Sequence, residues 1–332
     1  MKQVQKIAVI GSGAWGTGLA NVFADAGHDV TVWGRDKDVI NAINSKHENS
    51  KYLGSIVLNS SLKATLDLKN IIQQSEWIVC AIPTQQIRSV FQPVSALLEE
   101  KHIINTSKGI EVGTLKRVSE IFQEMAPNAH YSILSGPSFA IEVAKRLPTA
   151  VTLASSNMEE ATKVQQALAV PYFRTYTSRD VVGVEFAGAL KNVIAIASGM
   201  VTGLNLGFNA QAALINRGIA EIMRIAKAFH ADPFTFLGLA GTGDLILTCT
   251  GPLSRNRKVG VLLGEGKNLN QIQKDLGGVA EGVYTAKSAF ELSHKSGIEL
   301  PITEQIFQIL YQKCTPREAL QSLMKRELKE EW

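Results

Sequence analysis

The sequence predicts an α/β fold in two parts, a doubly wound sheet over residues 1–180 and an all-helical domain over residues 181–332. Three observations predict it. A glycine turn at residues 11–16 joins a short β-branched run to a helix. Short apolar runs then alternate with helical patterns as far as residue 176, the rhythm of a doubly wound sheet. From Val181 onward the strand-forming runs give way to Ala, Gly and Leu at helical spacing, with Glu185 and Lys191 the only charges in residues 181–216. A chain of 332 residues is long enough to give each part its own core.

The first element, Lys6-Ile-Ala-Val-Ile10, suits a strand buried on both faces. Gly11, Gly13 and Gly16 follow at G-x-G-x-x-G spacing, and residues 14–25 read as a helix stopped by Gly27. In the Rossmann-type motif the first glycine makes the tight turn, the second lets backbone approach a pyrophosphate, and the third lets helix and strand pack closely. The free N–H groups of that helix start favour an anion. The second strand ends at Gly34-Arg35-Asp36, with Arg35 nineteen positions after Gly16. A carboxylate in this region reads the ribose 2′-hydroxyl of NAD, whereas an arginine accommodates the 2′-phosphate of NADP. Arg35 leans towards NADP, although Asp36 lies one position from the acidic slot.

Further strands are expected at residues 77–82, 102–106, 131–134, 149–154 and 172–176, and helices at 86–99, 114–125, 138–145 and 158–169. Ligands of such a sheet bind beyond the carboxyl ends of its strands. Lys108 falls at one such end, and the Ser135-Gly136-Pro137-Ser138 turn at another. The alternatives are a solvated lysine and a plain strand-to-helix turn with Ser138 as N-cap.

Lys191 lies inside an apolar helical run, so its ammonium must be paired, hydrated in a cleft or shifted in pKa. That setting suits a proton donor; a Lys191–Glu185 ion pair or a snorkelling lysine is the structural alternative. A second distinctive stretch runs from Gly238 to Arg257. Its glycines lack P-loop spacing, but Asp244 enters an apolar run and needs a partner, and Ser254-Arg255-Asn256-Arg257 concentrates donors suited to a phosphate. Helices are expected at 217–230, 268–276, 281–296 and 303–312, and Thr315-Pro316-Arg317-Glu318 is a capping box with proline at N1.

Composition excludes several function classes. The 34 basic and 30 acidic residues give a net charge of +4 with no basic block, so nucleic-acid binding has no support. Cys80, Cys249 and Cys314 form neither a disulfide framework nor a metal-ligand spacing, which fits a reducing cytoplasm, and the six histidines form no ligand set. The apolar run at residues 7–10 is too short for a signal peptide, and residues 181–216 carry charges and polar residues that a membrane span tolerates badly, so no membrane insertion is expected.

Assembled, these motifs resemble the soluble nicotinamide-dependent glycerol-3-phosphate dehydrogenases of bacterial NAD(P) type, over essentially the whole chain. The motifs are Gly11-Ser-Gly-Ala-Trp-Gly16, Thr106-Ser-Lys-Gly109, Ser135-Gly-Pro-Ser-Phe-Ala140, Gly188-Ala-Leu-Lys-Asn-Val-Ile194, Gly241-Thr-Gly-Asp244, Ser254-Arg-Asn-Arg257 and Val279-Ala-Glu-Gly282. The resemblance implies interconversion of dihydroxyacetone phosphate and sn-glycerol 3-phosphate, feeding phospholipid synthesis, with NADP(H) preferred, NAD(H) accepted and no metal. It implies cofactor contacts from Ala14, Trp15, Arg35, Lys108, Ala140, Arg255, Val279 and Glu281 beside the glycines. Lys191 matches the proton-transferring lysine, with Lys108 and Asp244 assisting it. The substrate pocket maps to Lys108, Gly136, Ser138, Lys191, Asp244, Ser254, Arg255 and Asn256. Alanine stands at position 14 where some relatives carry serine. The apolar helical half makes a homodimer the expected assembly. Two rival readings are a β-hydroxyacid or 6-phosphogluconate-type dehydrogenase, which a substrate screen separates, and a non-catalytic NADP(H)-sensing module, which would need no buried proton donor.

Overall fold

The computed structural model describes residues 4–277, 280–328 and 330–331. The chain forms two compact units, one from Met1–Lys108 with Lys116–Glu185 and the other from Gly109–Leu115 with Phe186–Trp332.

The first unit is built on an eight-stranded sheet: β1 (Lys6–Ile10), β2 (Asp29–Trp33), β3 (Lys63–Thr65), β4 (Trp77–Cys80), β5 (His102–Asn105), β6 (His130–Ser135), β7 (Thr149–Ala154) and β8 (Phe173–Ser178). Their order is β3-β2-β1-β4-β5-β6-β7-β8. Pairings are parallel except β6 with β7, so β7 and β8 run against the other six strands. The order reverses between β1 and β4, and a doubly wound sheet opens a crevice at such a switch point. The glycine turn leaves the carboxyl end of β1 there. Alternate residues explain the continuous apolar runs, because Ile7, Val9, Val30, Val32 and Val79 enter one core while Ala8, Ile10, Ile78, Cys80 and Ile103 enter the other. Each buried Val or Ile contributes about 1.5–3 kcal/mol relative to exposure.

Several boundaries differ from the sequence reading for identifiable reasons. The three-residue β3 was not anticipated, having no apolar run to mark it. The expected helix over 86–99 is instead 3-10 turns at Thr84–Gln86 and Gln92–Leu97 around a short helix, Ile87–Phe91. Pro93 lacks the N–H that would continue that helix. The helix expected from 114 begins at Val118, because Gly113 (φ 87°) and Leu115 (φ 61°) occupy the left-handed region. The helix expected over 138–145 shortens to Ala140–Ala144, with Phe139 rather than Ser138 at its N-cap.

The described residues of the second unit hold their regular structure in helices. Val181–Gly203, whose residues from Phe186 onward belong here, has an 18-residue window apolar enough to cross a membrane, but 89% of that window is buried inside the protein. So apolar a run as 181–216 predicts a core segment, and the continuous burial holds only from residue 183 to residue 200. Beyond Gly203 the chain turns through Asn205 (φ 56°) and Gly207 (φ 82°), and the next helix, Gly207–Ala228, leaves Phe208 87% exposed. Gly199 and Gly203 meet Gly260 and Gly264 of the helix Arg255–Gly264 at backbone contact. A Cβ on Gly199 would lie 2.0 Å from the Arg257 carbonyl oxygen, and one on Gly260 1.9 Å from that of Ile196. The capping box forms as expected, Glu318 accepting from the Thr315 N–H at 2.8 Å with Pro316 opening the helix.

His102 on β5 is 3% exposed, with Nδ1 3.1 Å from Glu160 and Nε2 2.8 Å from Ser132 Oγ. Burial pushes its pKa down from 6.5 to about 4, against the smaller pull of Glu160. The unfolded chain therefore takes up a proton at a pH where the folded chain still refuses it, and stability is lost as pH falls through that window. Denaturant unfolding at pH 7 and pH 5 should show a wild-type loss that is smaller by about 2 kcal/mol in His102→Gln; equal losses would contradict this assignment.

Candidate active site

Gly11 has φ 129°, and a Cβ there would lie 2.3 Å from the Ala81 carbonyl oxygen. A Cβ on Gly16 would lie 1.9 Å from the carbonyl oxygen of Gly11, so only glycine lets the helix Ala14–Asp25 start this close to the turn. Gly13 faces open space, with no heavy atom within 4 Å of a built Cβ. No side chain caps that helix and no acid occupies its first turn. Uncapped N–H groups beside an open glycine fit a pyrophosphate. Ala14 and Trp15 are half-buried against the core at this corner.

Arg35 is exposed beyond β2, its guanidinium 5.8 Å from the Trp33 ring centre. The neighbouring Asp36 is committed elsewhere. It caps the helix Lys37–Lys46 through the N–H groups of Asp38 and Val39 and takes a 2.7 Å ion pair from Lys51, whose hydrogen bond lowers the Asp36 pKa. The turn ahead of Lys108 is fixed where β4 and β5 end. Thr106 Oγ1 donates to the Cys80 carbonyl at 2.8 Å, Ser107 Oγ donates to that of Ile82 at 2.6 Å, and Asn105 brackets the turn through Ser107. Lys108 itself is half-buried. Gly136 and Ser138 follow β6, where Ser138 Oγ donates to the Gly136 carbonyl at 2.9 Å. Ala140 opens a helix packed on Ala14–Asp25, its carbonyl oxygen 3.2 Å from where a Cβ on Gly18 would sit.

In the second unit Lys191 is 7% exposed. Its Nζ lies 2.6 Å from Asp244 Oδ1 and 2.8 Å from Thr248 Oγ1. Asp244, 2% exposed, begins the helix Asp244–Thr250, directly after a π-helical turn at Leu239–Gly243. Glu185, the other partner the sequence offers Lys191, ends the first unit. It accepts from Arg117 Nη1 at 3.0 Å, from the N–H and hydroxyl of Ser119 at 2.7 and 2.6 Å, and from Tyr131 at 2.8 Å. Burial still raises its pKa. The nearby thiol of Cys249 is pushed up to about 12 by burial, so it stays protonated.

Ser254 caps the helix Arg255–Gly264 by accepting from the Arg257 N–H at 3.2 Å. Arg255 is exposed and reaches the Leu276 carbonyl at 3.2 Å. Asn256 is a bracket, donating to Asn192 Oδ1 at 2.9 Å and accepting from the Gly282 N–H at 3.0 Å. It therefore ties the residue after Lys191 to the start of the helix Glu281–Ser296, where Glu281 is half-buried. Val279 lies outside the described residues. Among the described residues no three His, Cys, Asp or Glu side chains form a metal-ligand group.

Sequence reasoning missed Thr248 and Asn192. Thr248 had a legible signal, since it stands four residues after Asp244 and shares its helix face. Asn192 had none, because its partner is 64 residues away.

A switch-point glycine turn on one unit and a buried lysine–aspartate pair on a helical unit define the class of two-unit dinucleotide-dependent oxidoreductases. The family model described as NAD-dependent glycerol-3-phosphate dehydrogenase N-terminus matches residues 6–161, and the model for its C-terminus matches residues 180–321. The chain is 49% identical over 331 residues to a glycerol-3-phosphate dehydrogenase (NAD(P)+) of Citrifermentans bemidjiense, covering 98% of this chain and 99% of that one. It is 50% identical, with the same coverage of both chains, to the enzyme of that name from a Geobacter species. The crystal structure of a Coxiella burnetii glycerol-3-phosphate dehydrogenase superposes with a TM-score of 0.93 at 37% identity, over 97% of this chain and 99% of that one. The chain belongs to the NAD-dependent glycerol-3-phosphate dehydrogenase family.

Removing one partner of a buried ion pair strands the other charge, which costs about 3–5 kcal/mol. Asp244→Asn should lower the unfolding free energy by that order, and Lys191→Met combined with Asp244→Asn should recover part of it in a denaturation cycle. Additive losses would show that the two charges do not depend on each other.

Proposed function

We propose that this protein reduces dihydroxyacetone phosphate to sn-glycerol 3-phosphate with NADPH or NADH, and catalyses the reverse oxidation. The observation that carries the reading is the Lys191 ammonium, buried at 7% exposure and held 2.6 Å from Asp244. When bound, the reduced nicotinamide supplies the hydride for the ketone carbon. Lys191 stabilises the negative charge developing on the ketone oxygen and delivers the proton. Asp244 and Thr248 orient that ammonium, and Lys108 adds positive field. Ser254 and Arg255 stand at the start of a ten-residue helix, whose first N–H groups and guanidinium suit a phosphate dianion. Asn256, bracketed with Asn192, is assigned to the same substrate, and the family resemblance adds Gly136 and Ser138. Phosphate binding fixes the carbonyl, converting remote binding energy into rate.

On the cofactor side, the family resemblance assigns dinucleotide contacts to Ala14, Trp15, Lys108, Ala140, Arg255, Val279 and Glu281, beside Gly11, Gly13 and Gly16. NADPH is the favoured form. Arg35 is exposed to meet a 2′-phosphate, while the Asp36 carboxylate is engaged by Lys51 and its own helix cap. The product serves glycerophospholipid synthesis in a reducing cytoplasm, a setting supported by the free thiols of Cys80, Cys249 and Cys314. The working assembly is a homodimer. Supporting this, Phe208 is 87% exposed, Phe234 78% and Leu237 68%, surfaces a second copy would cover.

Loss of NADPH absorbance on adding dihydroxyacetone phosphate tests the activity directly. Lys191→Met should lower kcat by about a thousandfold or more with the dissociation constant for NADPH changed by less than about twofold. Arg255→Ala should chiefly raise KM for the phosphorylated ketone, and Arg35→Ala should raise KM for NADPH more than for NADH. Turnover that survives in Lys191→Met, or equal wild-type rates with unphosphorylated dihydroxyacetone, would remove the reading.

A further inference from the structure

Asn49 is fully buried, yet it lies in the segment that follows the helix Lys37–Lys46, outside every motif described above. Its Nδ2 donates to the Ser12 carbonyl oxygen at 2.9 Å and to Thr17 Oγ1 at 2.8 Å. Thr17, also fully buried, passes its own hydroxyl proton to the same Ser12 oxygen at 3.3 Å. The amide orientation is fixed by chemistry, because a carbonyl oxygen can only accept. The segment is anchored in turn, the Asn49 carbonyl taking the N–H groups of Tyr52 at 3.1 Å and Leu53 at 2.8 Å, with Leu53 only 1% exposed in the sheet core.

Ser12 stands between two glycines, so nothing in the local sequence fixes the peptide joining it to Gly13. In a planar trans peptide the C=O and the N–H point in opposite directions. Two donors holding the Ser12 C=O therefore turn the Gly13 N–H away from Asn49 and Thr17, at a residue with open space beside it. That N–H stands at the head of an uncapped helix.

We propose that Asn49 is a positioning residue for recognition of the cofactor's pyrophosphate, acting through the Ser12–Gly13 peptide. The proposal rests on the reading of the glycine turn as the dinucleotide site. An amide without its clamp samples both orientations, and the pyrophosphate must then order it on binding.

The test compares binding of NADPH, ADP-ribose and 2′-AMP to the full chain by titration calorimetry. In Asn49→Leu, of similar volume without donors, dissociation constants for NADPH and ADP-ribose should rise about tenfold. That for 2′-AMP, which has no pyrophosphate, should change less than about twofold. KM for NADPH should rise alike, with kcat at saturating cofactor and KM for dihydroxyacetone phosphate held within about twofold. Thr17→Val, which removes the hydroxyl relay, should show the same pattern more weakly and decides the matter if Asn49→Leu fails to fold. Ile121→Ala, a fully buried position on the helix that begins at Val118, serves as the control, losing thermal stability without the pyrophosphate-selective defect. Unchanged NADPH affinity in the folded variant, or an equal loss for 2′-AMP, overturns the proposal. A wild-type chain that binds neither NADPH nor ADP-ribose overturns the dinucleotide reading beneath it.

Discussion

The ion pair between Lys191 and Asp244 is the constraint on which the helical unit depends. An ammonium and a carboxylate removed from water lose several kcal/mol of hydration each, which their attraction returns only with good geometry and further hydrogen bonds. Both conditions are met: the pair is 2.6 Å apart, and Thr248 takes a second Lys191 proton at 2.8 Å while donating to the Asp244 carbonyl. The pair holds only if its helices hold. Ser198 Oγ donates to the Cys249 carbonyl at 2.9 Å, fastening Val181–Gly203 to Asp244–Thr250. The glycine faces at Gly199 and Gly260 fasten the same long helix to Arg255–Gly264. A buried pair of this kind stabilises a fold less than hydrocarbon of equal volume, which is the physical support for the role proposed for Lys191.

The two units solve different electrostatic problems by different means. At its glycine turn the sheet unit presents uncapped backbone N–H groups and open space, and the turn is held from behind by Asn49 and Thr17. The helical unit uses full charges, and its precision rests on brackets such as Asn256, which joins Asn192 to the Gly282 N–H. Glu185 satisfies its buried carboxylate with four donors from Arg117, Ser119 and Tyr131. The donors of Asn49 and the carboxylate of Glu185 are satisfied in this way, whereas Asn49 Oδ1 is buried without a hydrogen-bond partner.

What the sequence revealed tracks how local the cause was. Lys6–Ile10, the glycine turn and the helix Ala14–Asp25 were legible because strand pattern, turn residues and helix pattern sit within twenty residues of one another. The capping box at Thr315 was legible for the same reason. The need of Lys191 and Asp244 for partners was legible from polarity in apolar surroundings, but their pairing, across 53 residues, was expected only through the family resemblance. The reversed β7–β8 pair, the short β3 and the Asn49 clamp all arise from contacts between distant segments, which periodicity does not encode. Glycine weakens an isolated helix, but Gly199 and Gly260 are the points where two helix backbones touch, a pairing that no local pattern announces.

The proposed reaction turns on the Lys191 ammonium supplying the charge and proton required at the ketone oxygen. Chemical rescue measures this directly: Lys191→Ala is assayed for dihydroxyacetone phosphate reduction with and without added ethylamine. Activity that is abolished by the truncation and restored in proportion to the ethylammonium concentration is the result predicted. Full turnover of Lys191→Ala with no amine present would contradict it.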